Sequence, residues 1–350
     1  MGRAVAANYL LALVSLLLGW PFSCVGASLC IIGLAYSLSQ YVFYRETFDR
    51  LFPGAVGCNV AGSLEPEDVV KQQIVLVGHH DSPFVFTFLE RFPAVAFIRF
   101  LLGMAAYAWL CVYSVVASIR HSPGGILAPV EIPLWIAIAG LPFAIQLFFM
   151  MGKAKSPGAG DNLNSTSMVA ALGQYFLGER HNGFPLKHTR LILLSSDGEE
   201  IGQRGAISFV REHAAKLHAT PTLVLNIDSV YYARDLAVLT RDRNGTCRLS
   251  TSMACDVLGV AEGLGPRVKR APIPFGGGGT DAAAFAAAGM EAVSIVGMPM
   301  GLVSRDHLYH TSKDTVEHIE IGAVTSVLAI AAGYIRMLDD RSQSAGGERE

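Results

Sequence analysis

Charge is scarce in this sequence. Asp, Glu, Lys and Arg make up 16% of its 350 residues, where a soluble globular domain carries about 25%. The charge present nearly cancels, to −2 at neutral pH, so no basic surface for nucleic acid is implied. The six cysteines, at 24, 30, 58, 111, 247 and 255, form no CxxC pair and no regular spacing. That argues against a structural zinc site or a disulfide framework and fits reduced thiols facing a cytoplasm. Four glycines at 276–279 are not followed by Gly-Lys-Ser/Thr, so a phosphate loop with a bound nucleotide lacks its lysine. No internal repeat is found.

The missing charge is concentrated in two blocks. Residues 4–44 run for 41 positions without a charged side chain, and a helix crossing a bilayer needs about 20. Gly19-Trp20-Pro21 near the middle reads as a turn, so residues 1–44 are expected to form a transmembrane hairpin. The alternative is a signal peptide ending near Ala27, followed by a single span. In the second block Phe100–Ile119 and Ile132–Gly152 give 20 and 21 uncharged residues. Joined through Ser122-Pro123-Gly124-Gly125, they are expected to make a second hairpin over 96–152. Pro133 and Pro142 are tolerable in a membrane span. Two buried core helices are the alternative, disfavoured because such helices rarely run so long without charge. No acidic or basic residue lies inside any of the four spans, which leaves coupled-ion transport without a ligand.

The remaining segments, 45–95 and 153–340, have the character of a soluble domain, and the polar tail 341–350 is expected to be disordered. Apolar runs at 73–77, 191–195, 223–227, 236–239 and 292–296 read as strands. They alternate with helical patterns at about 164–177, 203–216, 249–262 and 316–338. This order predicts an α/β fold with a mostly parallel central sheet flanked by helices. Ile321–Ile335 is uncharged but only 15 residues long, and is expected to pack on the core rather than to span.

The chemistry gathers at strand ends. Leu191–Leu194 delivers Ser195-Ser196-Asp197-Gly198-Glu199-Glu200, with two adjacent carboxylates where α/β sheets place their reacting groups. Gln73–Val77 delivers Gly78-His79-His80-Asp81-Ser82. Alternation along a strand puts His79 and Asp81 on one face and His80 on the other. A lone Glu-Glu pair is usually a solvated helix cap, and a lone strand-end His a surface residue. The ordered set His79, Asp161, Glu199-Glu200, Asp228 and His310 is far more specific. Its imidazole and carboxylate donors suit Zn²⁺. One bridging carboxylate, two more carboxylates and two imidazoles would hold two ions about 3.5–4 Å apart.

This set resembles the M28 metallopeptidases, the zinc aminopeptidase-type family. The matching segments are Gly78–Ser82, Pro157–Asn162, Gly198–Gly202, Asn226–Asp228, Thr280–Phe285 and Tyr309–Asp314, over about residues 55–82 and 153–338. The resemblance implies Asp161 as the bridging ligand, Glu200 and His310 completing one zinc site, and His79 with Asp228 completing the other. It implies Glu199 as the general base, with Asp81 orienting the His79 imidazole. Tyr309 and the glycines 276–279 would shape the pocket for a peptide substrate. The same fold supports glutaminyl-cyclase-like activity, which a full two-metal set disfavours. A non-catalytic membrane scaffold on this fold is the competing reading, and it would be expected to have lost ligands. The M20 metallopeptidases share a similar ligand order. The 82 positions from Asp228 to His310 are too few for their lid domain. His80, Asp306 and His307 lie outside the pattern.

One departure is plain: 79 residues separate Asp81 from Asp161, because the second hairpin is inserted between two ligand-bearing loops. The site therefore requires the ends of the insertion, near Phe84 and Lys155, to return close together. The insertion also places the mouth of the site near the bilayer. With four spans, Arg3, Arg45, Arg50, Arg91, Arg99, Lys153 and Lys155 fall on the catalytic side and only Arg120 opposite, predicting a cytoplasmic catalytic domain.

Overall fold

A computed structural model describes residues 2–19, 21–120, 132–300 and 308–347. Trp20, the Ser122–Gly125 link, Asp306 and His307 fall outside the described residues.

In chain order, helices α1 (Gly2–Leu17) and α2 (Phe22–Ser37) precede strands β1 (Val60–Leu64), β2 (Gln72–His79) and β3 (Phe84–Phe86). Helices α3 (Thr87–Arg91), α4 (Ala96–Arg120) and α5 (Ile132–Ile145) follow, then β4 (Met151–Lys155), α6 (Asn164–His181), β5 (Thr189–Ser196) and α7 (Arg204–Ala219). The chain continues through β6 (Thr222–Val230), β7 (Leu236–Asp242), β8 (Cys247–Arg248), α8 (Thr251–Leu264) and β9 (Lys269–Pro272). It closes with α9 (Ala282–Ala287), β10 (Glu291–Gly297) and α10 (Ile321–Gly347). Two compact units divide these elements.

The larger unit, with described residues 54–83, 156–300 and 308–347, is built on an eight-stranded sheet. Its strand order is β1-β5-β2-β6-β10-β7-β8, with β9 beside β7. The four central strands β5, β2, β6 and β10 are parallel, while β1 runs antiparallel to β5 and β7 antiparallel to β10. This is the expected α/β architecture. Because both faces are covered, the central strands carry apolar residues on both faces. Ile74 and Leu76 of β2 face a core completed by α6, α8 and α10. Val75 and Val77 face the opposite core, completed by α7 and α9. The parallel register sets His79 opposite Ser196, so the carboxyl ends of β2 and β5 open side by side.

Helix α10 differs from expectation at its C-terminal end. It runs to Gly347, well into the segment expected to be a disordered tail. Asp339 explains part of this: it is 2% exposed and accepts hydrogen bonds from the backbone N–H groups of Lys187, His188 and Thr189 at 2.7–2.9 Å. Arg341 pairs with both oxygens of Asp256 on α8, at 2.6 and 3.0 Å. Arg341, inside the segment expected to be a tail, is thus anchored to a neighbouring helix.

The smaller unit, whose described residues fall within 2–53, 84–120 and 132–155, holds the apolar helices. Tyr9, Leu13 and Leu16 of α1 pack with Cys30, Tyr107, Leu110, Ala137 and Leu147 in one cluster. Two polar side chains find partners there: the Tyr107 hydroxyl donates to Asn8 Oδ1 at 3.0 Å, and Asn8 Nδ2 donates to the Leu29 carbonyl at 2.9 Å. At Gly103 an added Cβ would stand 2.7 Å from the Phe143 carbonyl oxygen, so the absent side chain lets α4 and α5 touch, as small residues do between membrane helices. Outward-facing Leu11, Ile31, Ile32, Val112 and Ile119 are more than half exposed.

Four helices among the described residues are long and apolar enough to cross a membrane: Phe22–Val42, Pro93–Arg120, Ile132–Phe149 and Ile321–Ser344. The number matches the expectation but the membership does not. Helix α1 has 16 residues, short of the usual requirement. The expected span from Ile132 to Gly152 gives way to strand β4 at Met151. The fourth candidate is α10, whose Val327, Ile330, Tyr334 and Ile335 are buried in the core of the larger unit, where it was expected to pack.

The ends of the insertion do meet. Strands β3 and β4 pair antiparallel, with Phe84 opposite Lys155. In the larger unit the Ser156 N–H donates to the Pro83 carbonyl at 2.9 Å.

Candidate metal centre

Three strand ends and two loops supply the site. His79 is the last residue of β2, Asp228 lies near the end of β6, and Glu199 and Glu200 follow β5. Asp161 comes from the turn before α6, and His310 from the loop before α10. The structure brings all six together. Donor atoms lie within 4.8 Å of one another in the groups His79–Asp161–Asp228, Asp161–Glu200–His310 and His79–Glu199–Glu200.

Asp161 is central. One carboxylate oxygen stands 3.3 Å from His79 Nε2 and the other 3.1 Å from His310 Nε2. His310 Nε2 is also 3.2 Å from Glu200 Oε2. Asp161 and both imidazoles are almost fully buried. Gly160 beside it cannot carry a side chain, because an added Cβ would fall 2.0 Å from the Tyr231 ring.

Asp81 lies just beyond the end of β2, so strand alternation does not set its direction. It still reaches His79 Nδ1, at 3.3 Å, and its own carbonyl lies 3.2 Å from the same nitrogen. Its two oxygens accept the N–H groups of Glu199 and Glu200, each at 3.1 Å. One carboxylate therefore aims an imidazole and holds the acidic pair. His80 turns away to Ser195 Oγ, at 2.7 Å. Tyr309 stacks on the His310 ring with centroids 3.8 Å apart. Of the glycines, Gly276 and Gly278 donate to Asn244 Oδ1 at 3.1 and 3.2 Å.

The structure adds residues to which the sequence reading gave no role. Asp314 accepts the N–H groups of Gly160 and Asp161 at 2.7 and 3.1 Å, fixing the loop that carries the central carboxylate. Asn162 ties that loop to β6 through the Ile227 carbonyl and the Ser229 N–H. Asp281 is buried and accepts a hydrogen bond from Ser196 Oγ. Both aspartates lie in segments that carried the family resemblance, but only their contacts reveal what they hold.

The site is rich in buried acid. Burial, countered in part by the imidazoles, pushes Glu200 up to about 7 and Asp228 up to about 8. Burial also lifts Asp281 to about 6 and holds Glu199 well above the usual carboxylate range, with Asp281, Glu200 and Asp228 adding to the rise. Burial works against a charged His310, yet Glu200 and Asp161 outweigh it and raise the ring to about 10. Burial opposes ionisation of Asp161 too, but the two imidazoles outweigh it and draw the carboxyl down. Glu200 Oε1 and Asp281 Oδ1 are buried and accept no hydrogen bond among the described residues. Six carboxylates with only two imidazoles among them call for compensating positive charge. The donor set fits a divalent cation of the zinc type.

A family model for peptidase family M28 matches residues 148–335, more than half the chain. The chain belongs to peptidase family M28. Solved structures with the same fold include LapB from Legionella pneumophila, at 13% identity and a TM-score of 0.51, covering 80% of this chain and 55% of that one. BSAP, a zinc aminopeptidase from Bacillus subtilis, matches at 16% identity and a TM-score of 0.50, covering 80% and 49%. The LapA aminopeptidase of Legionella pneumophila matches at 12% identity and a TM-score of 0.50, covering 80% and 59%. This M28 chain thus spans about half the length of the structures it matches. No curated protein sequence matches it significantly.

Asp314→Ala tests how the central loop is held. Losing the acceptor leaves two buried N–H groups unpaired, at about 1–3 kcal/mol each. Metal affinity, measured by competition with a chelating dye, is expected to fall about 10–100-fold, the range for outer partners of metal ligands. An unchanged affinity would show that Asp161 is placed without this support.

Proposed function

We propose that this protein is a membrane-embedded, zinc-dependent exopeptidase, most specifically an aminopeptidase. The observation that supports it best is the Asp161 carboxylate, whose two oxygens each face a different buried imidazole. In this reading Asp161 would contribute to holding both of two ions, with Glu200 and His310 completing one set of ligands and His79 and Asp228 the other. When bound, divalent ions lower the pKa of a coordinated water and polarise the scissile carbonyl.

The remaining steps belong to the chain. Glu199 takes the proton of the attacking water and returns it to the leaving amine. Its position in one cluster with His79 and Glu200, and its raised affinity for a proton, suit that shuttle. Asp81 keeps the His79 Nδ1 side engaged so that Nε2 faces Asp161. Asp314 fixes the main chain of Asp161. A scaffold that had abandoned catalysis would have no need of five donors and an adjacent acid, and all six are here.

The membrane part of the proposal rests on the apolar helices. α1, α2, α4 and α5 would cross the bilayer, with the shorter α1 accommodated by local thinning. The basic residues at their ends favour a catalytic unit on the cytoplasmic side.

The test is cleavage of paired peptide libraries, free and N-acetylated, by the full chain in detergent with added zinc. Release of N-terminal residues from the free set alone is expected. Equal cleavage of the blocked set would remove the aminopeptidase assignment, and no cleavage by zinc-loaded protein would favour the scaffold.

A further inference from the structure

The smaller unit has a cavity of its own. A cavity of about 260 Å³ is lined by Gly2, Arg3, Phe84, Leu147, Phe148, Met150, Met151, Gly152 and Lys153. Its character is unlike that of the metal centre: two cations, no acid, and an otherwise apolar wall. Neither Arg3 nor Lys153 has an acidic partner among the described residues. The Arg3 guanidinium rests over the Phe148 ring at 5.6 Å, a contact that holds it without neutralising it. Lys155 shares a face of β4 with Lys153 and lies about 7 Å along the strand, extending the positive edge.

The cavity's place in the bundle narrows the occupant. It sits where α1 begins and where the chain leaves α5, since an added Cβ on Gly2 would collide with the Leu147 carbonyl oxygen. The first turns of α4 reach the same end, where Arg99 Nε donates to Gln146 Oε1 at 2.9 Å. Arg99 is already engaged, its guanidinium lying 4.7 and 4.4 Å from the Phe88 and Phe92 rings. Arg3 and Lys153 are the cations left to face a ligand. Immediately outside, Phe148 and Phe149 are 45% and 62% exposed, an apolar surface continuous with the cavity wall.

We infer that this cavity binds the headgroup of an anionic phospholipid. Its phosphate would lie between Arg3 and Lys153, and its acyl chains along Phe148, Phe149 and the apolar helix faces. Basic pockets at the cytoplasmic ends of membrane helices suit such headgroups. The volume lies just below the roughly 300–1,000 Å³ of small-molecule pockets, enough for a headgroup but not a whole lipid. A free phosphate would make no use of the apolar wall. This inference rests on the membrane part of the proposed function.

The test measures thermal unfolding of the full chain in a neutral detergent, titrated with phosphatidylglycerol, phosphatidylcholine, inorganic phosphate or an oligoglutamate peptide. Phosphatidylglycerol alone is expected to raise the midpoint in a saturable way. Arg3→Gln/Lys153→Gln is expected to weaken half-saturation by about 10–30-fold, roughly the effect of two basic residues at an anionic surface. Lys269→Gln, an exposed change on β9, is expected to leave it unchanged. An equal response to phosphatidylcholine, or to phosphate or oligoglutamate, overturns the site, as does a double variant that still binds like the original. If the double variant does not fold, the ligand series on the unaltered chain decides. Alkaline carbonate extraction of expressing membranes separates the two readings. Release of the chain overturns the membrane reading, whereas retention without a headgroup preference overturns only the lipid site.

Discussion

Glu199→Gln is expected to lower kcat by about 10²–10⁴-fold, the usual contribution of a positioned general base, while metal content stays at the level of the unaltered protein. The substitution keeps the size and most of the polarity of the side chain and removes its ability to take a proton. It bears on a real ambiguity of the geometry, because Glu199 lies in a metal-competent group with His79 and Glu200. If Glu199 were a ligand, the amide would weaken metal binding, and elemental analysis of purified protein would show the loss. A fall in turnover at constant metal identifies a base. A fall in both identifies a ligand, and unchanged turnover removes Glu199 from the chemistry.

Asp161→Ala is expected to have the broadest effect, because two half-sites would lose the same donor. Metal content measured by elemental analysis should drop from two ions per chain to none. Asp228→Ala, which touches one half-site, should leave one. Activity of Asp161→Ala is expected to fall below detection. Stability should cease to respond to zinc, whereas a chain that binds its ion gains about 2.7 kcal/mol at a concentration 100 times Kd. A variant that retained one ion would show that Asp161 belongs to a single site. Part of the stability loss is independent of metal. Asp161 is held down mainly by the His310 and His79 imidazoles, which outweigh its burial, so its contribution is present above the unfolded carboxyl value and lost as pH falls through the folded one. The gap in stability between Asp161→Ala and the unaltered chain, both stripped of metal, is therefore expected to narrow in strong acid.

Much of the site was legible because strand ends announce themselves. The apolar run of β2 stops at His79, that of β5 just before the acidic pair, and that of β6 around Asp228, and parallel strands with covered faces align those ends. What the sequence did not disclose depends on contacts between distant segments. Asp314 looks like any loop acid until two backbone N–H groups are found pointing at it. Strand β1 carries the pattern Val-Ala-Gly-Ser-Leu and is largely exposed at the sheet edge, so it shows no run of buried residues to betray it. The polarity of 341–350 suggests solvent exposure, because polarity alone does not disclose a partner on another helix. Arg341 finds its partner in Asp256 on α8. An uncharged run does not mark where a helix stops, and β4 takes over the final residues of one such run.

The pairing of β3 with β4 has a consequence for how such a chain can change. Seventy-odd residues leave the catalytic unit at Pro83 and rejoin it at Ser156, one hydrogen bond away. Joining points that already touch cost the host little closure entropy, whatever the length of the excursion. The insertion is in this sense a detachable module, free to be lengthened, exchanged or trimmed to a tight turn while the residues of the acidic cluster keep their own connections.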